Sequence, residues 1–187
     1  NGAGKSTLLR VLAGIYRPTQ GTVTVNGEAK GLFDISLGMQ NDATGLENIY
    51  MRGLQMGLEL RQIRALIPDV IAFSGLGAAI EKPLASYSAG MRLRLAISVS
   101  TMIEPDILLL DEWIGTGDSA FRKKVTTRMM DLVEKSHGLV LATHNTSLMR
   151  QLCNRGLVLD AGRVVFHGSV DEALAYYEDD DPGELAT

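Results

Sequence analysis

Apolar residues recur along this chain in two rhythms, and the rhythm changes repeatedly. Leu8, Leu9, Val11 and Leu12 fall at helical spacing, which predicts a short helix directly after a glycine-rich start. Arg17-Pro18-Thr19-Gln20-Gly21 reads as a turn, and Thr22-Val23-Thr24-Val25 before Asn26-Gly27 reads as a strand entering a tight hairpin. Leu32 to Leu37 has the character of a second strand. From Glu47 to about Ser74, apolar residues such as Ile49, Leu54, Ile63, Leu66, Ile67 and Val70 alternate with polar ones in a helical pattern. Ser88 to Ser100 and Phe121 to Lys135 predict further helices, while Ile107 to Leu110 and Leu139 to Ala142 are short, uniformly apolar runs of the kind found in buried strands. Leu157 to Leu159, the Asp160-Ala161-Gly162 turn and Val164 to Phe166 predict a hairpin, followed by a helix from about Val170 to Tyr177. Apolar strands alternating with helices indicate an α/β fold whose sheet is mostly parallel and covered on both faces. The helical stretch after Glu47 interrupts that alternation.

Composition narrows the class without naming it. The 187 residues are 45% hydrophobic and 21% charged, enough for a core in one domain with a subdomain, and too apolar for a disordered chain. Eighteen Lys and Arg against twenty-two Asp and Glu give a formal charge of -4, so nothing in the total favours nucleic acid, and no such partner is expected. Cys153 stands alone, so neither an internal disulfide nor a cysteine metal cage can form; it reads as a small residue of an apolar helix. The apolar runs fall far short of the roughly 20 residues a membrane helix requires, and no signal-peptide pattern is present in the residues given. Glu178 to Glu184 is acidic and ends in turn formers, which predicts a solvated, frayed tail over 178–187.

The chemistry begins at the first residue. Asn1-Gly2-Ala3-Gly4-Lys5-Ser6-Thr7 carries the end of a phosphate-loop pattern whose first glycine would lie before Asn1, so the sequence is expected to start inside the motif. Gly2 and Gly4 let the backbone turn through positive φ and aim its N–H groups at an anion. Lys5 adds a positive charge for the terminal phosphates, the Ser6 hydroxyl suits Mg²⁺, and the helix that follows presents its positive end. Farther on, the apolar run 107–110 delivers Asp111 and Glu112 at the end of a strand, where open α/β sheets bind ligands. Asp111 is placed to hold Mg²⁺ and Glu112 to orient or deprotonate an attacking water. Between the two, Ser88 can cap a helix in which Gly90 lets backbone approach an anion, a second helix N-terminus suited to phosphate.

Gly4-Lys5-Ser6-Thr7, Tyr87-Ser88-Ala89-Gly90-Met91, Leu110-Asp111-Glu112, Asp118 and His144 resemble, in that order, the motifs of the nucleotide-binding domains of ABC transporters, and the likeness runs over essentially the whole chain. It implies a phosphate-loop NTPase fold, α/β with a mostly parallel sheet and an inserted helical subdomain at about 47–105, within a single domain 1–187 that lacks its first strands. It implies ATP and Mg²⁺ as ligands, with Asn1, Gly2, Ala3, Gly4, Lys5, Ser6 and Thr7 around the phosphates. Ser6, Asp111 and Gln40 would serve the metal, and Lys5, Glu112 and His144 the reaction. Two copies would pack head to tail so that Ser88, Ala89 and Gly90 of one complete the nucleotide site of the other, with Asp118 in the loop between them. Thr143 or Asn145 could help to hold His144. The partners implied are a second ATPase subunit and an integral membrane permease, at the cytoplasmic face of the plasma membrane.

Finer features point to a subgroup. Trp113 stands where the family commonly has Pro and Gly117 where it usually has Leu; with Phe121-Arg122-Lys123-Lys124 and Thr44-Gly45-Leu46-Glu47-Asn48-Ile49, these resemble the ATPases that export lipid-linked polysaccharides, O-antigen, capsule and teichoic acid among them. Gln40 lies closer to Glu47 than the family's loop glutamine does. The adenine-stacking aromatic of the family lies upstream of the phosphate loop, so base recognition is inferred from the resemblance; without the strand and glycine expected before Asn1 the loop lacks its anchor, and residues 1–187 alone are expected to bind ATP weakly or not at all. The alternative the resemblance leaves open is a non-transport ABC protein that clamps on ribosome or DNA.

Overall fold

The computed structural model describes residues 2–33, 38–113 and 118–180. In chain order the elements are α1 (Lys5–Leu12), β1 (Ala29–Leu32), α2 (Gly45–Gln55), α3 (Leu60–Ser74), α4 (Ala89–Ser100), β2 (Ile107–Asp111) and α5 (Ser119–Lys135). They continue with β3 (Gly138–Ala142), α6 (Thr146–Leu152), β4 (Arg155–Asp160), β5 (Arg163–Ser169) and α7 (Val170–Asp180). Two compact units result. One gathers 1–33, 106–113 and 137–187; the other joins 34–105 to 114–136.

In the first unit β1, β2 and β3 form a parallel sheet in that order, with α1 packed against all three strands. Leu108, Leu109 and Leu110 of central β2 are all but inaccessible, which is why that run shows no polar alternation. β3 is half-buried along its length, against the expectation of a fully buried strand, because it is the edge of the described sheet. Parallel pairing sets Asp111 opposite Ala142, and so brings the residues after both strands to one edge. β4 and β5 form an antiparallel hairpin whose turn residues Ala161 and Gly162 have φ of 44° and 79°. Positive φ at both positions suits the right-handed twist of a two-residue hairpin. α7 lies on that hairpin, with Ala173 and Leu174 buried and Tyr176 stacked on Phe166 at 5.1 Å.

The second unit is helical. Its core is built from Ile49 of α2, Ile63 and Val70 of α3, and Leu95 and Val99 of α4, all fully buried. The helical stretch expected over Glu47 to Ser74 divides into α2 and α3 because Gly57 adopts φ 84°, and the N–H of Leu58 donates to the Gly53 carbonyl at 3.0 Å. That is a Schellman stop, closed by a glycine in the left-handed region. α5 joins this unit through Phe121, which meets Phe73 of α3 edge-on at 5.6 Å. Arg128 of α5 also stacks over Phe73 at 3.8 Å and pairs with Asp69.

Three expectations need correction. Thr22–Val25 is not a strand: it is largely exposed and no described strand pairs with it, and an unpartnered extended segment gains nothing from ladder hydrogen bonds. The first strand is Ala29–Leu32, earlier than Leu32–Leu37, of which 34–37 fall outside the described residues. α7 runs to Asp180, so the first residues of the acidic tail are helical; the remainder, 181–187, also lies outside them. Among the described residues no helix is long and apolar enough to cross a membrane.

Candidate functional site

The glycine-rich start folds as its composition requires. Gly2 and Gly4 have φ of 85° and 101°, values an L side chain resists, and Gly4 is the N-cap of α1 with no side chain capping the helix. The amides of that first turn have no intrahelical partners, which together with the helix dipole leaves the stretch from Gly4 to Thr7 suited to an anion. Asn1 lies outside the described residues. The hairpin tip reaches this loop: the Gly162 N–H donates to the Ala3 carbonyl at 3.0 Å, and a Cβ on Gly4 would meet the Gly162 Cα at 3.5 Å. Sequence spacing gave no sign of that contact.

At the edge where β2 and β3 end, Asp111 and Glu112 from the end of one strand meet Thr143, His144 and Asn145 from the end of the other. Asp111 closes β2, half-buried. Glu112 follows with φ 72°; it and Ala161 are the non-glycine residues with positive φ among those described. Such a conformation costs an L-residue about 1–2 kcal/mol. It is held by the Glu112 N–H, which donates to the Ala142 carbonyl at 2.7 Å. Thr143, 4% exposed, donates from Oγ1 to Glu112 Oε2 at 2.8 Å and accepts from the Asn145 N–H at 3.2 Å. His144 is exposed, its Nε2 3.9 Å from Glu112 Oε1. Asn145 caps α6, accepting from the Leu148 N–H at 3.0 Å. Thr143 therefore contacts Glu112, not His144 as the sequence suggested, and the parallel register of two strands is what joins them.

The second unit holds the other candidates. Ser88 is the N-cap of α4, its Oγ accepting from the Met91 N–H at 3.2 Å, and Ser88, Ala89 and Gly90 are all exposed. Below them Tyr87 is buried and donates to the Ala79 carbonyl at 2.7 Å; burial and the nearby Glu81 charge push its phenol up from the ordinary value. Asp118 caps α5, accepting from the Phe121 N–H at 3.0 Å, and pairs with Arg94 of α4. The Phe121 amide first, and then Arg94, hold the Asp118 carboxyl below the usual carboxylate range. Arg94 also lies 5.0 Å from the Phe121 ring. The sequence marked Asp118 but not Arg94. Gln40 has an exposed side chain; its backbone N–H and carbonyl are both bonded to the buried Asn48, at 2.8 and 3.0 Å. Residues 114–117, with Gly117, lie outside the described residues.

The donor set suits a hard cation. Ser6 and Asp111 offer a hydroxyl and a single carboxylate, and among the described residues no three His, Cys, Asp or Glu converge on one point. One carboxylate and oxygen donors fit Mg²⁺, which keeps waters and substrate phosphates as its other ligands.

Residues 1–115 match the family described as ABC transporter. The chain is 40% identical over 96% of its length to the O-antigen export system ATP-binding protein of Myxococcus xanthus, covering 41% of that protein. It is 37% identical, over 96% of its length, to the teichoic acids export ATP-binding protein of Bacillus anthracis, covering 32% of it. A third relative, the O-antigen export system ATP-binding protein of Yersinia enterocolitica, is 40% identical over 91% of this chain and 71% of its own. The chain thus spans less than half the length of the first two. Among solved structures, an ATP-binding subunit of an ABC transporter superposes with a TM-score of 0.74 at 23% identity, over 95% of this chain and 78% of that one. A dimeric ATP-binding cassette in a post-hydrolysis state with ADP and Pi gives 0.66 at 20%, over 90% and 81%. These two establish the phosphate-loop NTPase fold.

Proposed function

This chain belongs to the ABC transporter family, and on that premise we propose that it is the ATP-binding and hydrolysing part of a transporter that exports a polysaccharide or lipid-linked glycan. The observation that carries the reading is the convergence of Glu112, Thr143 and His144 where two parallel strands end, in the unit that also holds the glycine-rich loop. The relatives named for O-antigen and teichoic acid export support the cargo class, and they favour export over a clamp on ribosome or DNA.

The chemistry is positioning plus charge. Phosphoryl transfer spreads negative charge over the terminal oxygens, so a pre-aimed cation and helix N-terminus lower the barrier more than they stabilise the bound substrate. Lys5 and the amides of Gly4, Ser6 and Thr7 supply these for the β and γ phosphates. Ser6 and Asp111 would hold Mg²⁺, which when bound neutralises phosphate charge. Glu112 orients the attacking water and accepts its proton, and His144 contacts the γ-phosphate. Ser88, Ala89 and Gly90 of a second copy close the site from outside, and Asp118 lies in the loop between copies. The transport partner is a membrane permease, which places the chain at the cytoplasmic face of the plasma membrane. In the full-length protein, Glu112→Gln is expected to keep ATP binding while steady-state phosphate release drops by orders of magnitude; wild-type turnover in that variant would overturn the role of Glu112.

A further inference from the structure

Thr143 is held so that its single proton has one destination. Its hydroxyl oxygen already accepts from the Asn145 N–H at 3.2 Å, and a hydroxyl has only one proton to donate. That proton goes to Glu112 Oε2, at 2.8 Å. Thr143 as a whole is 4% exposed, so water does not readily replace either partner. Glu112, by contrast, keeps about half of its side chain exposed, and its other oxygen, Oε1, is the one 3.9 Å from His144 Nε2. Holding Oε2 therefore narrows where Oε1 can lie, because the two oxygens belong to one rigid planar group whose backbone is also anchored.

We propose that Thr143 is a positioning residue for hydrolysis: by donating to Oε2 it locks the Glu112 carboxylate with Oε1 turned toward His144, leaving that oxygen for the attacking water. This deepens the reading of Glu112 as the water-activating carboxylate and rests on it. The backbone of Glu112 is anchored by its own amide on Ala142, but that bond leaves the side-chain torsions unset. The Thr143 hydroxyl restrains them. Misplacing a reacting oxygen by an ångström costs roughly 100-fold in rate, so freeing the carboxylate is expected to cost roughly 10- to 100-fold.

The test uses the full-length protein and compares T143V, which keeps shape and removes the hydroxyl, with T143S, which keeps the hydroxyl. T143V should lower kcat by about 10- to 100-fold with KM for ATP within about twofold of wild type, and T143S should restore turnover to within about threefold. If the hydroxyl acts on turnover through Glu112 and not through its bond to the Asn145 N–H, T143V should slow the E112Q variant no further. Thermal melts verify folding, and turnover is expressed per folded, ATP-binding site. Wild-type kcat in T143V, failure of T143S to restore it, a change confined to KM, or a further loss in the double variant would each overturn the proposal. The two readings fail separately. If E112Q itself turns over normally, the assignment of Glu112 falls; if E112Q is slow and T143V is not, only the positioning role falls.

Discussion

At the scale of single residues, buried polar groups decide more than their number suggests. Asn48 is inaccessible to solvent, and its side-chain amide bonds the N–H and carbonyl of Gln40 and shares its two protons among that carbonyl and those of Ala43 and Thr44, the last of which also accepts the Asn48 N–H. Each buried group left unpaired costs about 1–3 kcal/mol, so Asn48→Leu, which keeps most of the volume, should still destabilise by about 2–4 kcal/mol in urea unfolding. A neutral result would mean that the segment from Gln40 to Thr44 is held by packing instead. Asp118 makes a prediction about pH. The Phe121 amide and Arg94 lower its carboxyl in the folded chain, so folding favours the ionised form. The stabilisation is complete above the ordinary carboxylate range near pH 4 and is lost as pH falls through the lower folded value. Asp118→Asn should therefore flatten the decline of stability with acid; an unchanged slope would show that neither the Phe121 amide nor Arg94 favours the ionised form.

Among the elements, packing reverses a rule of thumb. Glycine inside a helix is normally improved by alanine, by about 0.5–1 kcal/mol. Gly53 lies inside α2, but a Cβ there would stand 2.6 Å from Cγ1 and 2.8 Å from Cδ1 of the fully buried Ile63 on α3. Overpacking of that kind costs about 1–3 kcal/mol, which outweighs the propensity gain, so Gly53→Ala should lower the unfolding free energy. Stabilisation by that substitution would mean that α2 and α3 part more easily than their contact suggests. The same close approach explains why the helical stretch from Glu47 to Ser74 could be read from its apolar spacing, while its division could not. The stop at Gly57 depends on a left-handed turn, and many glycines in this chain adopt one without ending a helix.

For the molecule as a whole, the proposed pairing of copies can be separated from folding. Gly90 is exposed and a Cβ on it would meet nothing nearer than Ser88 Oγ at 3.9 Å, so this chain has room for a side chain there. A partner's phosphates would not. Sedimentation of the full-length Glu112→Gln protein with ATP should show a dimer, and adding Gly90→Asp should return it to monomer with ATP binding to each copy retained; a surviving dimer would sink the pairing. Much of this architecture is written locally. Gly2 and Gly4 before Lys5, the leucine run ending in Asp111 and Glu112, and Ser88 before an apolar helix are short-range patterns, because backbone freedom, strand burial and helix capping depend on neighbours a few residues away. The meeting of Thr143 with Glu112, of Arg94 with Asp118 and of Gly162 with Ala3 is of another kind. Each joins residues far apart in the chain, through a strand register, a helix packing or a hairpin tip. Local spacing determined which groups could do chemistry here; only the folded chain, by closing those long loops, decided which of them touch.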